Sequence, residues 1–455
     1  MCGVFGIRAP GRDVARLSYF GLYALQHRGQ ESAGIAVSED GRLTGLRDLG
    51  LVTQVFDEQK LSGLRGQLAI AHTRYSTTGS NAWANAQPLI HHGTERTVAL
   101  GHNGNLTNAD ELRDELAPRL GSTSDSEVIA AMIGADDRPL DEAVAGALER
   151  IEGAAAVVGL ANGKLFAFRD AFGFRPLVLG DLHGDPVVAS ETCALDLVGA
   201  ELVREVRPGE LLIADEDGVH SQQVLPRSGG GALCIFEFFY LARPDTRLDG
   251  IEVHGARVRM GERLAAEAPA DADLVLPIPD SGTPAAIGFS RATGIPFSEG
   301  LIKNRYVHRT FIQPEQGMRE QGIRMKFNPL DEVAGKRLVV VDDSIVRGST
   351  TRQIVQMLFD AGAAEVHVRI SSPPVVSPCY YGIDLASENE MIAAGNTVEG
   401  VRAAIGATSL AYLSLEGLQA ATERPASSLC RACLTREYPT RVPAAAEKLR
   451  FEPVR

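Results

Sequence analysis

The run Val339-Val340-Val341-Asp342-Asp343-Ser344-Ile345-Val346-Arg347-Gly348-Ser349-Thr350-Thr351 confines the second half of this chain to a narrow set of folds. From Leu338 to Val341 it is apolar without interruption, as expected of a strand covered on both faces. Beyond the loop, Ile354, Leu358 and Ala361 fall on one helical face, and Gly362 ends it. Val366-His367-Val368-Arg369-Ile370 reads as the next strand, and Leu274-Val275-Leu276-Pro277 as an earlier one. Strand, loop, helix and strand in that order predict a parallel, doubly wound α/β sheet.

The loop also carries chemistry. Ligands of open α/β sheets bind beyond the carboxyl ends of the strands. There Asp342 and Asp343 close the strand, Arg347 adds a charge-assisted donor, and Gly348 lets a ligand approach the backbone. Ser344, Ser349, Thr350 and Thr351 supply hydroxyls, and a helix N-terminus offers amides to a phosphate. Two carboxylates beside a phosphate make sense if they hold ribose hydroxyls or a divalent cation that itself meets phosphate oxygens. The bland alternative is an Asx-type turn followed by a Ser/Thr cap. Asp280-Ser281-Gly282-Thr283-Pro284 follows the earlier strand as a second loop of turn composition. Between the loops, Lys303, Arg305, His308, Arg309, Arg319, Arg324 and Lys326 make a basic stretch. It reads either as a solvated surface loop or as a lid that orders over a polyanion.

The first half has a different grammar. Asp40-Gly41 and Asn162-Gly163 sit between strand-like runs and suggest tight hairpins. Residues 17–26 place Leu17, Phe20 and Ala24 on one helical face, and Ser124-Asp125-Ser126-Glu127 has capping-box spacing. Mostly antiparallel strands packed with helices, an α+β arrangement, are expected. Pro226-Arg227-Ser228-Gly229-Gly230-Gly231-Ala232 reads as a linker, dividing residues 1–230 from residues 231–455. A chain of 455 residues is too long for one ordinary core, which agrees with that division.

Composition excludes several functions. A net charge of −13 argues against a nucleic-acid binder, and no apolar run reaches the roughly 20 residues that span a membrane. The N-terminus lacks the basic and apolar segments of a secretory signal, so a cytoplasmic location is expected. Six cysteines in such a chain point to catalysis, metal ligation or core packing instead of disulfides.

Cys2 stands where removal of Met1 would make it N-terminal, with a thiol and a free α-amine on one residue. The amine's ordinary pKa of about 7.7–8.0 lets it act as a base beside its own nucleophile. Alone, Cys2 reads equally as a small apolar residue opening a buried strand. Behind it come Gln26-His27-Arg28-Gly29-Gln30-Glu31, His72-Thr73-Arg74-Tyr75-Ser76-Thr77, Gly101-His102-Asn103-Gly104-Asn105-Leu106 and the stretch around Asp125.

In that order these segments resemble the class II glutamine amidotransferases, a family of N-terminal-nucleophile hydrolases. The resemblance makes Cys2 the nucleophile and gives the Asn103 side chain and Gly104 amide to the oxyanion hole. It gives Arg74 to glutamine's α-carboxylate, Asp125 to its α-ammonium, and the Arg28-Gly29 backbone to the pocket wall. The run from Val339 to Thr351 resembles the 5-phosphoribosyl-1-pyrophosphate (PRPP) motif of type I phosphoribosyltransferases. That resemblance assigns Asp342, Asp343, Ser344, Arg347, Gly348, Ser349 and Thr350 to PRPP. It places one Mg2+ per subunit on the pyrophosphate near Ser281, Asp342 and Asp343.

A class II glutaminase followed by a phosphoribosyltransferase is the layout of the glutamine PRPP amidotransferase family. The expected reaction hydrolyses glutamine and uses the ammonia to displace pyrophosphate from PRPP. Its products are 5-phosphoribosylamine, glutamate and diphosphate, in the first step of de novo purine (IMP) biosynthesis. The alternative is a regulatory protein that senses PRPP or a nucleotide on the same fold. Family likeness also implies a homotetramer, feedback by purine nucleotides, and no nucleic-acid or membrane partner.

Cys430-Arg431-Ala432-Cys433 is a C-x-x-C, with Cys234 and Cys379 far upstream. Spacing alone leaves structural zinc, an iron–sulfur cluster, a redox pair and four unrelated buried cysteines open. The iron–sulfur branch of the family carries one structural [4Fe-4S] cluster per subunit on cysteines in such contexts. Cys193 matches no site and is expected in the core.

Overall fold

The computed structural model describes residues 2–116, 120–304, 306, 325–385, 387–443 and 451–452. In the first half, two antiparallel sheets of seven and six strands lie face to face. Gly3–Arg8 runs between Asp185–Ala189 and Leu68–Arg74 in one; Gly153–Ala161 runs between Thr97–Leu106 and Lys164–Arg169 in the other. Both expected hairpins are present. Asp40 and Asn162 have φ of 50° and 51° and each precedes a left-handed glycine, as a type I′ turn requires.

Side-chain alternation along the strands explains the stacking. In Gly3–Arg8, Val4 faces Ile70, Val158 and Leu212 between the sheets, while Phe5 and Ile7 face Leu22 and Leu25 on the other side. In Gly153–Ala161, Ala156, Val158 and Leu160 join that inner core. Ala155 and Val157 pack outward with residues of the helices Ser126–Ala135 and Leu140–Arg150. The result is helix, sheet, sheet, helix. Both sheets are covered on both faces, so an apolar run by itself does not distinguish parallel from antiparallel strands here.

Two local expectations are corrected. The helix Val14–Ala24 buries Val14, Ala15, Ser18, Gly21 and Leu22, and Phe20 is 40% exposed. Gly21 sets that face: a Cβ there would lie 2.4 Å from Phe5 Cδ2, so the helix sits tightly on the strand beneath. The capping box does not form, because both acidic side chains find donors outside the helix. Asp125 accepts from the Leu106 amide at 2.9 Å, and Glu127 from the Gly121 and Ser122 amides at 3.0 and 2.6 Å.

The second half holds a four-stranded parallel sheet in the order Leu274–Pro277, Arg337–Asp342, Glu365–Ile370, Ser409–Tyr412. Val339 and Val341 face the helices Val253–Glu267 and Thr283–Thr293; Leu338 and Val340 face Ser349–Asp360 and Val398–Ile405. Burying each such side chain contributes about 1.5–3 kcal/mol, enough to fix this strand at the centre. The glycine-rich segment before this half is not loose. Its Ser228 and Ala232 amides donate to the Ala171 and Phe172 carbonyls at 2.9 and 2.7 Å. No helix among the described residues is long and apolar enough to cross a membrane.

Candidate functional site

The first strand ends its N-terminal side at Cys2, which is 6% exposed. The Cys2 amide donates to Asn103 Oδ1 at 3.2 Å, and Asn103 lies on Thr97–Leu106 of the facing sheet. That bond fixes the orientation of the carboxamide. Its other end, Asn103 Nδ2, is buried and has no hydrogen-bond partner. Gly104 follows in a position that only glycine fits, since a Cβ would lie 1.9 Å from the Ala154 carbonyl oxygen. Thus a thiol, a free buried amide donor and a bare backbone lie together.

Arg74 ends the strand Leu68–Arg74 and is buried, with Nη1 donating to the Ser80 carbonyl at 3.0 Å and Nη2 to Thr78 at 3.1 Å. Burial lowers its pKa, opposed by attraction from Cys2, Glu31 and Asp125. Asp125 is buried on the turn before Ser126–Ala135. Gly29 packs directly on the Arg74 backbone, where a Cβ would approach within 2.6 Å. The Arg28 side chain turns away from this group. It lies between Glu191 and Glu237, bonded to the first through Nε and to the second through Nη2 at 2.6 Å.

That ion cluster joins the two halves and has no local sequence signal. Arg175 Nη2 donates to the Tyr381 carbonyl at 2.6 Å, and Arg175 Nη1 meets Glu237 Oε1 at 3.3 Å. Burial works against the Arg28 charge, but Glu191 and Glu237 outweigh it and raise its pKa. Around it, Tyr381 stacks on Phe174 with centroids 4.1 Å apart, and Gly382 abuts the Gly104 carbonyl. The Asn105 side chain donates to the Tyr380 carbonyl at 3.1 Å. The wall of the Cys2 site is therefore partly built by the second half.

In the parallel sheet, Pro277 and Val341 pair in register, so the loops after them lie side by side. A Cβ on Gly282 would lie 2.4 Å from the Val341 carbonyl oxygen. Asp343 is hydrogen-bonded by Ser281 and by Ser344, the latter at 2.5 Å. Burial, then the charge of Asp343, raises the pKa of Asp342 well above the carboxylate range; burial likewise raises Asp343. Such a pair favours an added cation. Gly348, at φ 75°, turns the chain into the helix Ser349–Asp360, with Ser349 and Thr350 exposed. Arg347 pairs with Glu390 at 2.5 Å on the surface. Lys303 is paired with Asp280; Arg305, His308, Arg309, Arg319 and Arg324 lie outside the described residues.

Cys234 sits opposite Cys430 where Leu233–Cys234 pairs in parallel with Leu429–Cys430. The Val376 and Ser377 amides bind the Cys433 carbonyl at 2.9 and 3.1 Å, which brings the Cys379 segment alongside. Cys379 Sγ accepts from the Tyr381 and Ile383 amides, each at 3.4 Å. Burial pushes the Cys234 thiol up to about 11, and burial plus the neighbouring cysteines raises Cys430 and Cys433. Among the described residues, no three His, Cys, Asp or Glu side chains are grouped to hold a single metal ion. Cys193 is buried in the first-half core, as expected.

The family described as "Glutamine amidotransferase domain" matches residues 72–196. The amidophosphoribosyltransferase of Mycobacterium tuberculosis is 53% identical over 97% of this chain and 87% of its own. That of Archaeoglobus fulgidus is 47% identical over 97% and 99%. The structure of glutamine PRPP amidotransferase from B. subtilis, complexed with ADP and GMP, superposes with a TM-score of 0.91. It shares 44% identity and covers 97% of this chain and 98% of its own. Identity of this degree along both halves, on the same fold, means that the chain belongs to the amidophosphoribosyltransferase family.

Proposed function

We propose that Cys2 hydrolyses glutamine and that the loop at residues 342–351 receives PRPP, so that the two sites divide the family's glutamine-dependent amidotransfer between them. The single observation that carries the first assignment is the free Nδ2 of Asn103, held toward the thiol by the bond from Cys2 to Oδ1. Thiolate attack on the glutamine carboxamide creates a tetrahedral oxyanion, and donors already fixed in place stabilise it. Asn103 Nδ2 and the Gly104 amide fill that role. Arg74 takes the α-carboxylate, Asp125 the α-ammonium, and the Arg28-Gly29 backbone lines the pocket. Once Met1 is removed, the Cys2 α-amine takes the thiol proton, ammonia leaves, and water resolves the glutamyl thioester.

At the second site, Asp342 and Asp343 hold the ribose hydroxyls or the cation. The amides and hydroxyls of Ser344, Gly348, Ser349 and Thr350 hold phosphate, and Arg347 adds charge. The oxygen donors of Ser281, Asp342 and Asp343 suit Mg2+, which keeps few protein ligands and relies on substrate phosphates. When bound, it neutralises charge on the departing pyrophosphate. Ammonia then attacks carbon 1 of the ribose.

We further assign Cys234, Cys379, Cys430 and Cys433 to one structural [4Fe-4S] cluster. Two amide bonds to Cys379 Sγ and the mutual proximity of the four thiols support it; a cluster spreads its ligands around a larger body than one ion does. Anaerobically purified protein should be brown with about four irons per chain. Colourless protein with stoichiometric zinc overturns the assignment. A boundary at residues 230/231, a cytoplasmic homotetramer and feedback by purine nucleotides complete the reading, the last supported by the ADP and GMP complex of the B. subtilis relative.

Pyrophosphate release from PRPP tests the division of labour. Cys2→Ala should abolish release driven by glutamine and retain release driven by ammonia. Retention of glutamine-driven release removes Cys2 from the mechanism. PRPP binding without release from either nitrogen donor would favour the sensor alternative.

A further inference from the structure

Phe451 and Glu452 return to the wall of the Cys2 pocket from the opposite end of the sequence. Glu452 Oε1 accepts from the Ser80 amide at 2.8 Å and from Thr123 Oγ1 at 2.6 Å. Thr123 first, then Ser80, holds the Glu452 carboxyl below its ordinary pKa, so it is ionised at neutral pH. Ser80 belongs to the segment tied to Arg74 through its carbonyl, and Thr123 precedes Asp125 on the neighbouring turn. The Asn85 side chain spans the same two segments, donating to the Ser80 carbonyl at 3.0 Å and to Thr123 Oγ1 at 2.7 Å. Phe451 secures the dipeptide. Its ring lies over the Arg113 guanidinium at 4.9 Å, and Arg113 in turn donates to the Ser122 carbonyl at 2.8 Å.

We propose that Phe451 and Glu452 form a strap that positions the glutamine pocket. The strap fastens the Arg74 segment to the Asp125 turn and so sets the spacing of the two groups that receive the ends of one amino acid. This rests on the assignment of Arg74 and Asp125 to glutamine. Glu452 bonds to the rim of the pocket, to a backbone amide and a hydroxyl, and is a positioning residue. Without it, bound glutamine must itself order the two segments, which weakens binding. Ammonia uses neither segment, so the second site is spared.

The test uses the full chain and measures pyrophosphate release with glutamine and with ammonia. Glu452→Ala should raise the KM for glutamine on the order of ten-fold, the size of one charge-assisted hydrogen bond, with kcat and the ammonia reaction retained. Glu452→Gln keeps an acceptor oxygen and should recover part of the affinity. Phe451→Ala should move the KM in the same direction. An unchanged KM, an equal loss of both activities, or a fall in the KM (Glu452 then competing with glutamine) each overturns the strap. Cys2→Ala separates this from failure of the underlying assignment. If Cys2→Ala retains glutamine turnover, the pocket itself is misassigned; if it loses turnover while Glu452→Ala keeps the parental KM, only the strap is wrong.

Discussion

The two sites are assembled in opposite ways. The phosphoribosyl site is nearly contiguous: residues 342–351 carry its carboxylates, hydroxyls and helix N-terminus, with Ser281 added from the adjacent loop. The glutaminase site is scattered over Cys2, Arg74, Asn103 and Asp125, and exists only where two sheets face each other. A contiguous site depends on one strand–loop–helix unit. A scattered one depends on the whole stack and on the seam with the second half.

That contrast predicts different failures. Cys2→Ala should lower glutamine-driven turnover on the order of 10⁶-fold, as for other covalent nucleophiles, whereas Asp343→Asn should cut release with both nitrogen donors. If Asp343→Asn spares the ammonia reaction, the second site is not where PRPP reacts. Asn103→Ala should cost about 10²–10³-fold in glutamine-driven kcat alone, the usual effect of one oxyanion donor. A matching loss with ammonia would mean that Asn103 holds the fold.

The seam should register in stability. Glu237→Gln leaves Arg28 with one carboxylate and Arg175 with none at the seam, and breaking such a buried pair costs about 3–5 kcal/mol. Denaturant unfolding measures it; an unchanged midpoint would show that the halves are independent. A smaller effect concerns Glu205, which bonds the Asp249 amide across the seam. Burial, then the Asp249 side chain, raises its pKa from 4.5 to about 8. Between those values the folded protein keeps a proton that the unfolded chain releases. Stability contributed by this proton is therefore full below pH 4.5 and lost as pH rises through about 8. Glu205→Gln should flatten the melting temperature across that window, and an unchanged slope would refute it.

How much of this was legible follows from the same contrast. The apolar run ending at Val341, the glycine at 348 and the Asn162-Gly163 hairpin announce themselves because local backbone geometry demands them. Phe20 misled because a close approach between Gly21 and Phe5 outweighed helical periodicity. Asp125 misled as a cap because a strand amide, Leu106, took its carboxylate.

The sequence by itself determined the chemical inventory: a thiol beside the initiator, a carboxylate-rich phosphate loop, paired cysteines and a parallel sheet to carry the loop. Only the tertiary structure decided how that inventory is used. It pointed Asn103 Nδ2 at the thiol, moved the Arg28 side chain to the seam, set Gly382 against Gly104, and brought Glu452 to Ser80 and Thr123. Hydrogen bonds and ion pairs between residues hundreds of positions apart leave no periodicity in the chain; packing alone brings their atoms within reach.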